Sequence, residues 1–214
     1  MTMFIRIDPD FLKEISTHNE HTPRLYFYGN AWARNFFWRR LEISHELMLK
    51  YVNNKENCLD LGCGNGVFLP TLAKTFQNVI GLDIETREAE KILVKYGSDN
   101  IKLINGDVHT TDFGDLKFDA ICALDVLEHF KDPYGPILKA KEWLKEDGYF
   151  FTSLPTEGFF TIMSRKLSGT KKPFDHYHTG AEVEKMMEKA GFKRVGRIVF
   201  SWLFPMYFIS AWKK

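Results

Sequence analysis

Three glycines alternate in the segment Asp60-Leu61-Gly62-Cys63-Gly64-Asn65-Gly66, directly after a short apolar run. Alternate glycines open backbone conformations closed to other residues and let a ligand approach the main chain beside a helix N-terminus. The chemistry implied is the binding of a nucleotide-type ligand. A dinucleotide fingerprint, Gly-x-Gly-x-x-Gly, would need glycine at position 67, where the chain has Val67, so NAD is disfavoured. Asp83 ends a second apolar run about 20 residues further on, where a carboxylate accepts both hydroxyls of a ribose or caps the following helix. Asn105-Gly106-Asp107 ends a third run, and an acid after a flexible glycine suits an exocyclic adenine amine.

A second group of residues carries chemistry of another kind. Asp125, Glu128 and His129 are spaced i, i+3, i+4, which places them on one face if the segment is a helical turn. One reading makes His129 the base for a hydroxyl acceptor. Another makes all three residues ligands to a divalent cation, and a third leaves them as a capped turn. Asp175-His176-Tyr177-His178 forms a further cluster, in which two histidines at i, i+2 can reach one metal or serve the start of the next helix.

The elements that must position these residues alternate along the chain. Asp8-Pro9 is an N-cap and first helical residue for a helix to about residue 15, and apolar residues at near-helical spacing predict a long helix over 30–52. Strands are expected at 58–61, 79–83, 101–105, 118–124 and 149–154, separated by helices over 67–76, 86–96 and from Asp132-Pro133 to residue 145. Thr179-x-x-Glu182 is a capping box opening a helix that Gly191 ends, followed by strands over 192–200 and 203–212. Strands alternating with helices imply an α/β fold with a doubly wound, mostly parallel sheet of seven strands, the closing hairpin adding one antiparallel strand.

Composition narrows the partners. With 29 basic and 28 acidic residues the net charge is +1, too balanced to draw DNA, and it argues against RNA as well. The charged start of the chain shows no targeting peptide, no stretch is apolar enough to span a membrane, and three cysteines without Cys-x-x-Cys spacing suit a reducing compartment. The expectation is a cytoplasmic protein. Aromatic residues make up 15% of the chain, and Trp32, Phe36, Phe37 and Trp38 lie beside Arg34, Arg39 and Arg40. Phe159, Phe160, Ile162 and Met163 precede Arg165 and Lys166 in the same way. We expect half of these aromatics to cover the sheet edge and the rest to form an apolar lid with a basic rim facing phosphate or a membrane surface.

Over residues 55 to 200 the sequence resembles the class I S-adenosylmethionine-dependent methyltransferases. The glycine loop, Asp83 and Asp107 match that family's motifs in order and spacing. Phe118-Asp119-Ala120, Leu124-Asp125-Val126-Leu127-Glu128-His129-Phe130, Leu144 through Gly148, and His178 through Phe192 look like small-molecule enzymes of the ubiquinone-biosynthesis type. The resemblance implies a Rossmann-like fold with S-adenosylmethionine as cofactor. It places the methionine part on Gly62, Gly64 and Gly66, the ribose on Asp83 and the adenine on Asp107, with Asp60, Cys63, Ile84, Val108 and Leu124 as further cofactor positions. His129 and His178 are the expected catalytic residues, and no metal site is assigned. Similar quinone and small-RNA methyltransferases carry Glu-x-x-Glu-His where this chain has Asp125 through His129, so a divalent cation is the second reading. The fourth strand is followed by neither the Pro-Pro motif of DNA-base N-methylation nor a Pro-Cys nucleophile. The expectation is therefore in-line transfer to oxygen or carbon of a small, apolar or lipid-derived acceptor. RNA methylation and a non-catalytic cofactor-binding regulator are the alternatives. One domain is expected over 1–214, with a helical lid at 1–55, a cofactor half at 56–154, a lid insertion at 155–178, and a helix and hairpin at 179–214.

Overall fold

The computed structural model describes residues 3–16, 26–27, 31–156, 176–200 and 205–214, with the side chains of Trp32 and Ala33 excepted. The expected lid residues Phe159 to Lys166, and Asp175, lie outside the described residues. Helix α1 (Pro9–Ile15) opens as its sequence dictates, with the Asp8 side chain accepting from the Phe11 amide. Helix α2 (Ala31–Tyr51) precedes strand β1 (Asn57–Leu61). The order then runs α3 (Leu69–Ala73), β2 (Asn78–Asp83), α4 (Arg87–Tyr96), β3 (Ile101–Asn105), β4 (Phe118–Leu124), α5 (Tyr134–Trp143) and β5 (Leu144–Pro155). Helix α6 (Gly180–Lys189), β6 (Lys193–Phe200) and β7 (Tyr207–Lys213) complete it.

Among the described residues seven strands form one sheet in the order β3-β2-β1-β4-β5-β7-β6. Strands β1 to β5 pair in parallel, while β7 runs antiparallel to both β5 and β6. β1 and β4 are buried almost throughout, because helices cover both faces of the sheet's centre. Strand alternation divides the core in two. Cys58, Ala120, Cys122 and Phe151 pack toward α1 to α4, and Leu59, Ile121, Ala123 and Phe150 toward α5 and α6.

Several boundaries differ from the sequence reading for physical reasons. α5 ends at Trp143 rather than at 145, because Leu144 is captured opposite Phe118 and starts β5 five residues early. The next residue, Lys145, is then held by Glu56 and Asp119. α3 is one short turn, with Pro70 inside its first turn. Asp132 caps less directly than expected: its carboxylate accepts from the Tyr134 amide, and Pro133 occupies the cap position. The capping box of Thr179 and Glu182 forms in full. Among the described residues no helix is long and apolar enough to cross a membrane.

Candidate active site

Strand order reverses between β1 and β4, and a crevice outside the carboxyl ends of parallel strands is the binding place such a sheet offers. A cavity of about 1140 Å³ opens there. Its first wall is the loop after β1. The amides of Gly62 and Cys63 both donate to the Leu82 carbonyl at the end of β2, which pins the loop to the neighbouring strand. Gly62 has φ +72°, and a Cβ there would lie 2.5 Å from both γ-methyls of Val126. Gly64 also has positive φ but faces open space, so a ligand can approach its backbone. Asp60, Gly62, Cys63 and Gly64 line the cavity; Gly66 is set back against Ala89 of α4.

Asp83 reaches from β2 into the same space. One carboxylate oxygen accepts from the Gly64 amide at 2.7 Å and the other from the Glu85 amide at 3.0 Å. Glu85 in turn accepts from the Arg87 amide at the start of α4, so the two acids divide loop bracing and helix capping between them. The guanidinium of Arg87 holds the Glu85 carboxyl down at about 2. Asp107 accepts from the His109 amide at 2.8 Å, and with Ile84, Val108 and Leu124 it completes this side of the cavity. Asp60 is buried beneath the loop, where burial raises its carboxyl to about 7 although the Cys122 thiol donates to it at 3.2 Å. Burial likewise pushes the Cys63 thiol up.

The opposite wall departs from the sequence reading. Asp125, Glu128 and His129 are not gathered by one helical turn: Asp125 and His129 line the cavity, and Glu128 does not. Asp125 takes a left-handed conformation, φ +59°, alone among described non-glycine residues, and a 3-10 turn covers only Leu127–His129. The Asp125 carboxylate turns to Arg40 of α2 and forms a largely buried ion pair. Arg40, expected on a basic rim, is 2% exposed, whereas neighbouring Arg39 is exposed and paired with Glu42 and Glu46. The partner that joins Glu128 and His129 is His176. One donor atom from each of the three lies within 4.8 Å of the others, and the two imidazoles meet edge to face at 4.6 Å. Backbone bonds from Tyr177 and His178 to the Glu128 carbonyl bring the segments together. His178 itself is not in the cavity wall; its Nε2 pairs with the Lys131 carbonyl. His129 lines the cavity beside Phe130, Val126, Tyr26 and Leu41.

A family model described as a methyltransferase domain matches residues 32–195. The chain belongs to that methyltransferase family. The chain is 30% identical over 138 residues to a ubiquinone biosynthesis O-methyltransferase of Actinobacillus pleuropneumoniae serotype 7. The match covers 57% of the chain and 58% of the relative, so it spans less than two thirds of that protein's length. In fold it is similar to the N-methyltransferase NodS from Bradyrhizobium japonicum WM9, at TM-score 0.69 and 17% identity over 84% of this chain and 97% of that one. Magnesium protoporphyrin IX methyltransferase from Synechocystis PCC 6803, solved with bound SAH, gives TM-score 0.69 at 18% identity, covering 96% and 94% of the two chains. The Rossmann-like, mostly parallel architecture and the class I S-adenosylmethionine-dependent family are thereby the ones the sequence led us to expect.

Arg40 and Tyr26 in the cavity wall, and His176 packed on His129 outside the lining, are the residues that sequence reasoning left without their place in the site. Arg40 had a signal: it lies three residues from Phe37 and four from Ser44 on a helix face otherwise buried, so its charge required a buried carboxylate. His176 and His178 were indistinguishable by spacing.

Proposed function

We propose that this chain transfers a methyl group from S-adenosylmethionine to oxygen, or to carbon, of a small and largely apolar acceptor. The observation that carries this reading is a single cavity with two chemically different walls: a glycine loop with Asp83 and Asp107 on one side, and apolar side chains with His129 on the other. Ligand pockets generally span about 300–1,000 Å³, so a cavity of about 1140 Å³ has room for a nucleoside cofactor and an acceptor together.

The cofactor, when bound, supplies an electrophilic methyl on a sulfonium. Gly62 and Gly64 would cradle its methionine part, Asp83 its ribose and Asp107 its adenine, with Ile84 and Val108 as apolar cover. Methyl transfer needs an aligned nucleophile and exclusion of water, and orientation alone is worth about 7–11 kcal/mol. A hydroxyl acceptor held against the apolar wall beside His129 would present its oxygen to that methyl, the sulfur leaving with the bonding electron pair. The hydroxyl proton passes to His129, an imidazole suited to proton transfer near neutral pH. His176 packs edge to face on that ring, and a Glu128 carboxylate oxygen lies within 4.8 Å of a nitrogen of each imidazole. The same carboxylate and two imidazoles form a donor set that a divalent cation accepts. His178 serves the turn that positions His176. The three free cysteines fit a reducing compartment such as the cytoplasm.

The test is a calorimetric titration with S-adenosylhomocysteine on wild type and Asp83→Ala, with NADH as control. Micromolar binding to wild type, weakened about 10-fold to 100-fold in the variant by loss of charge-assisted hydrogen bonds, is the expected result. Binding of NADH alone would remove the methyltransferase reading.

A further inference from the structure

We propose that the Arg40–Asp125 pair is the acceptor-recognition element, and that it selects a neutral hydroxyl on an otherwise apolar molecule. This rests on the methyltransferase reading above and assigns a specificity to two residues outside the cofactor wall.

Both residues line the cavity. Arg40 reaches it from α2 with its guanidinium 4.1 Å from the Phe37 ring centre and 5.3 Å from that of Tyr207. One of its terminal nitrogens donates to the Tyr26 hydroxyl at 2.9 Å, another meets Asp125, and its buried Nε–H has no hydrogen-bond partner among the described residues. Asp125 follows β4, accepts from the Ser153 hydroxyl at 3.3 Å and holds its left-handed backbone there. For stability alone this arrangement is a poor choice. Apolar residues of similar volume often match or exceed a buried ion pair, and a left-handed aspartate adds backbone strain. Strain and buried charge kept together at the mouth of a strand, in a cavity wall, mark a recognition site.

The chemistry of the pair decides what it recognises. A donor-only cation and an acceptor-only anion stand side by side. A carboxylate on the ligand gains Arg40 but meets the Asp125 charge, and an ammonium gains Asp125 but meets Arg40. A hydroxyl both donates and accepts, so it can accept from Arg40 and donate to Asp125 without meeting a like charge. The surrounding Tyr26, Leu41, Val126 and Phe130 leave the remainder of the ligand an apolar environment. The pair thus favours an oxygen nucleophile over an amine.

The experiment measures binding of four probes, 4-propylphenol, 4-propylbenzoate, 4-propylbenzylamine and propylbenzene, by saturation-transfer NMR titration. It is run with and without S-adenosylhomocysteine on wild type, Asp125→Asn, Arg40→Met and the double variant Arg40→Met/Asp125→Leu. Wild type should bind 4-propylphenol about tenfold or more tighter than the other three. Each single variant should lose that preference while keeping its affinity for S-adenosylhomocysteine. The double variant guards against misfolding of the singles, since it removes both charges at once. It should melt at or above the wild-type temperature and bind propylbenzene as well as 4-propylphenol. Equal binding of the four probes by wild type, or an unchanged preference in the double variant, would overturn the assignment and leave the pair structural. Failure of wild type to bind S-adenosylhomocysteine would instead sink the methyltransferase reading, and the ranking without that ligand still decides the role of the pair.

Discussion

The two walls of the cavity are built differently. The cofactor wall is made of short loops at the ends of β1, β2 and β3, braced by neighbours such as Gly64 to Asp83 and Asp83 to Glu85. The opposite wall, proposed for the acceptor, is built of side chains whose partners are far away in the chain: Arg40 with Asp125, and His129 with His176 outside the lining. On the reading proposed above, the loop wall suits one invariant ligand, because its glycines and the carboxylates of Asp83 and Asp107 are fixed by strand ends and backbone hydrogen bonds. A side-chain wall is free to change its chemistry without disturbing the sheet, which suits it to substrate choice on the reading proposed above.

Breaking each wall separately tests that division. The largest effect is expected from His129→Ala, with turnover reduced about 10²-fold to 10⁴-fold and calorimetric affinity for S-adenosylhomocysteine unchanged. A parallel loss of that affinity would move His129 to the cofactor side. Gly62→Ala should do the reverse. Its Cβ would stand 2.5 Å from Val126 with φ +72°, lowering unfolding free energy by about 2 kcal/mol or more and weakening cofactor binding, both measurable by urea melts and calorimetry.

A smaller effect is expected from pH. The folded chain keeps the Asp60 proton up to about 7, whereas the carboxyl releases it near 3.8 when exposed. Folded protein therefore binds more protons in that window, and the contribution of this group to stability falls as pH rises through it, levelling off above. Urea midpoints at pH 5 and pH 8 should show Asp60→Asn losing this part of the wild-type slope; an identical slope would place the titration elsewhere. Smallest is Gly64→Ala. With φ +51° and open space around the new Cβ, it should cost about 1 kcal/mol of stability, half or less of the Gly62 penalty in the same melts.

The contrast between walls also explains what was legible. The glycine loop, Asp83 and Asp107 were readable because each follows its own strand, and strand ends are fixed by local apolar patterns. The seven-strand count followed from the same patterns. Asp125 was misplaced because i, i+3, i+4 spacing assumes a regular turn, and one left-handed residue rotated its carboxylate away to an arginine on α2. His176 and His178 alternate within one segment, and only the backbone bonds to the Glu128 carbonyl settle which imidazole meets His129. Such choices depend on pairings between distant segments, which periodicity does not encode.

The interleaved edge of the sheet carries a consequence for assembly in time. β6 is synthesised before β7, yet it lies outside β7 and, among the described residues, has no other strand beside it. It cannot join the sheet until β7 has been made and has paired with β5, so the hairpin docks as one piece. That late step also brings Tyr207 up to the Arg40 guanidinium. In a growing chain the loops after β1, β2 and β3 are thus made before the strand that carries Tyr207 to Arg40.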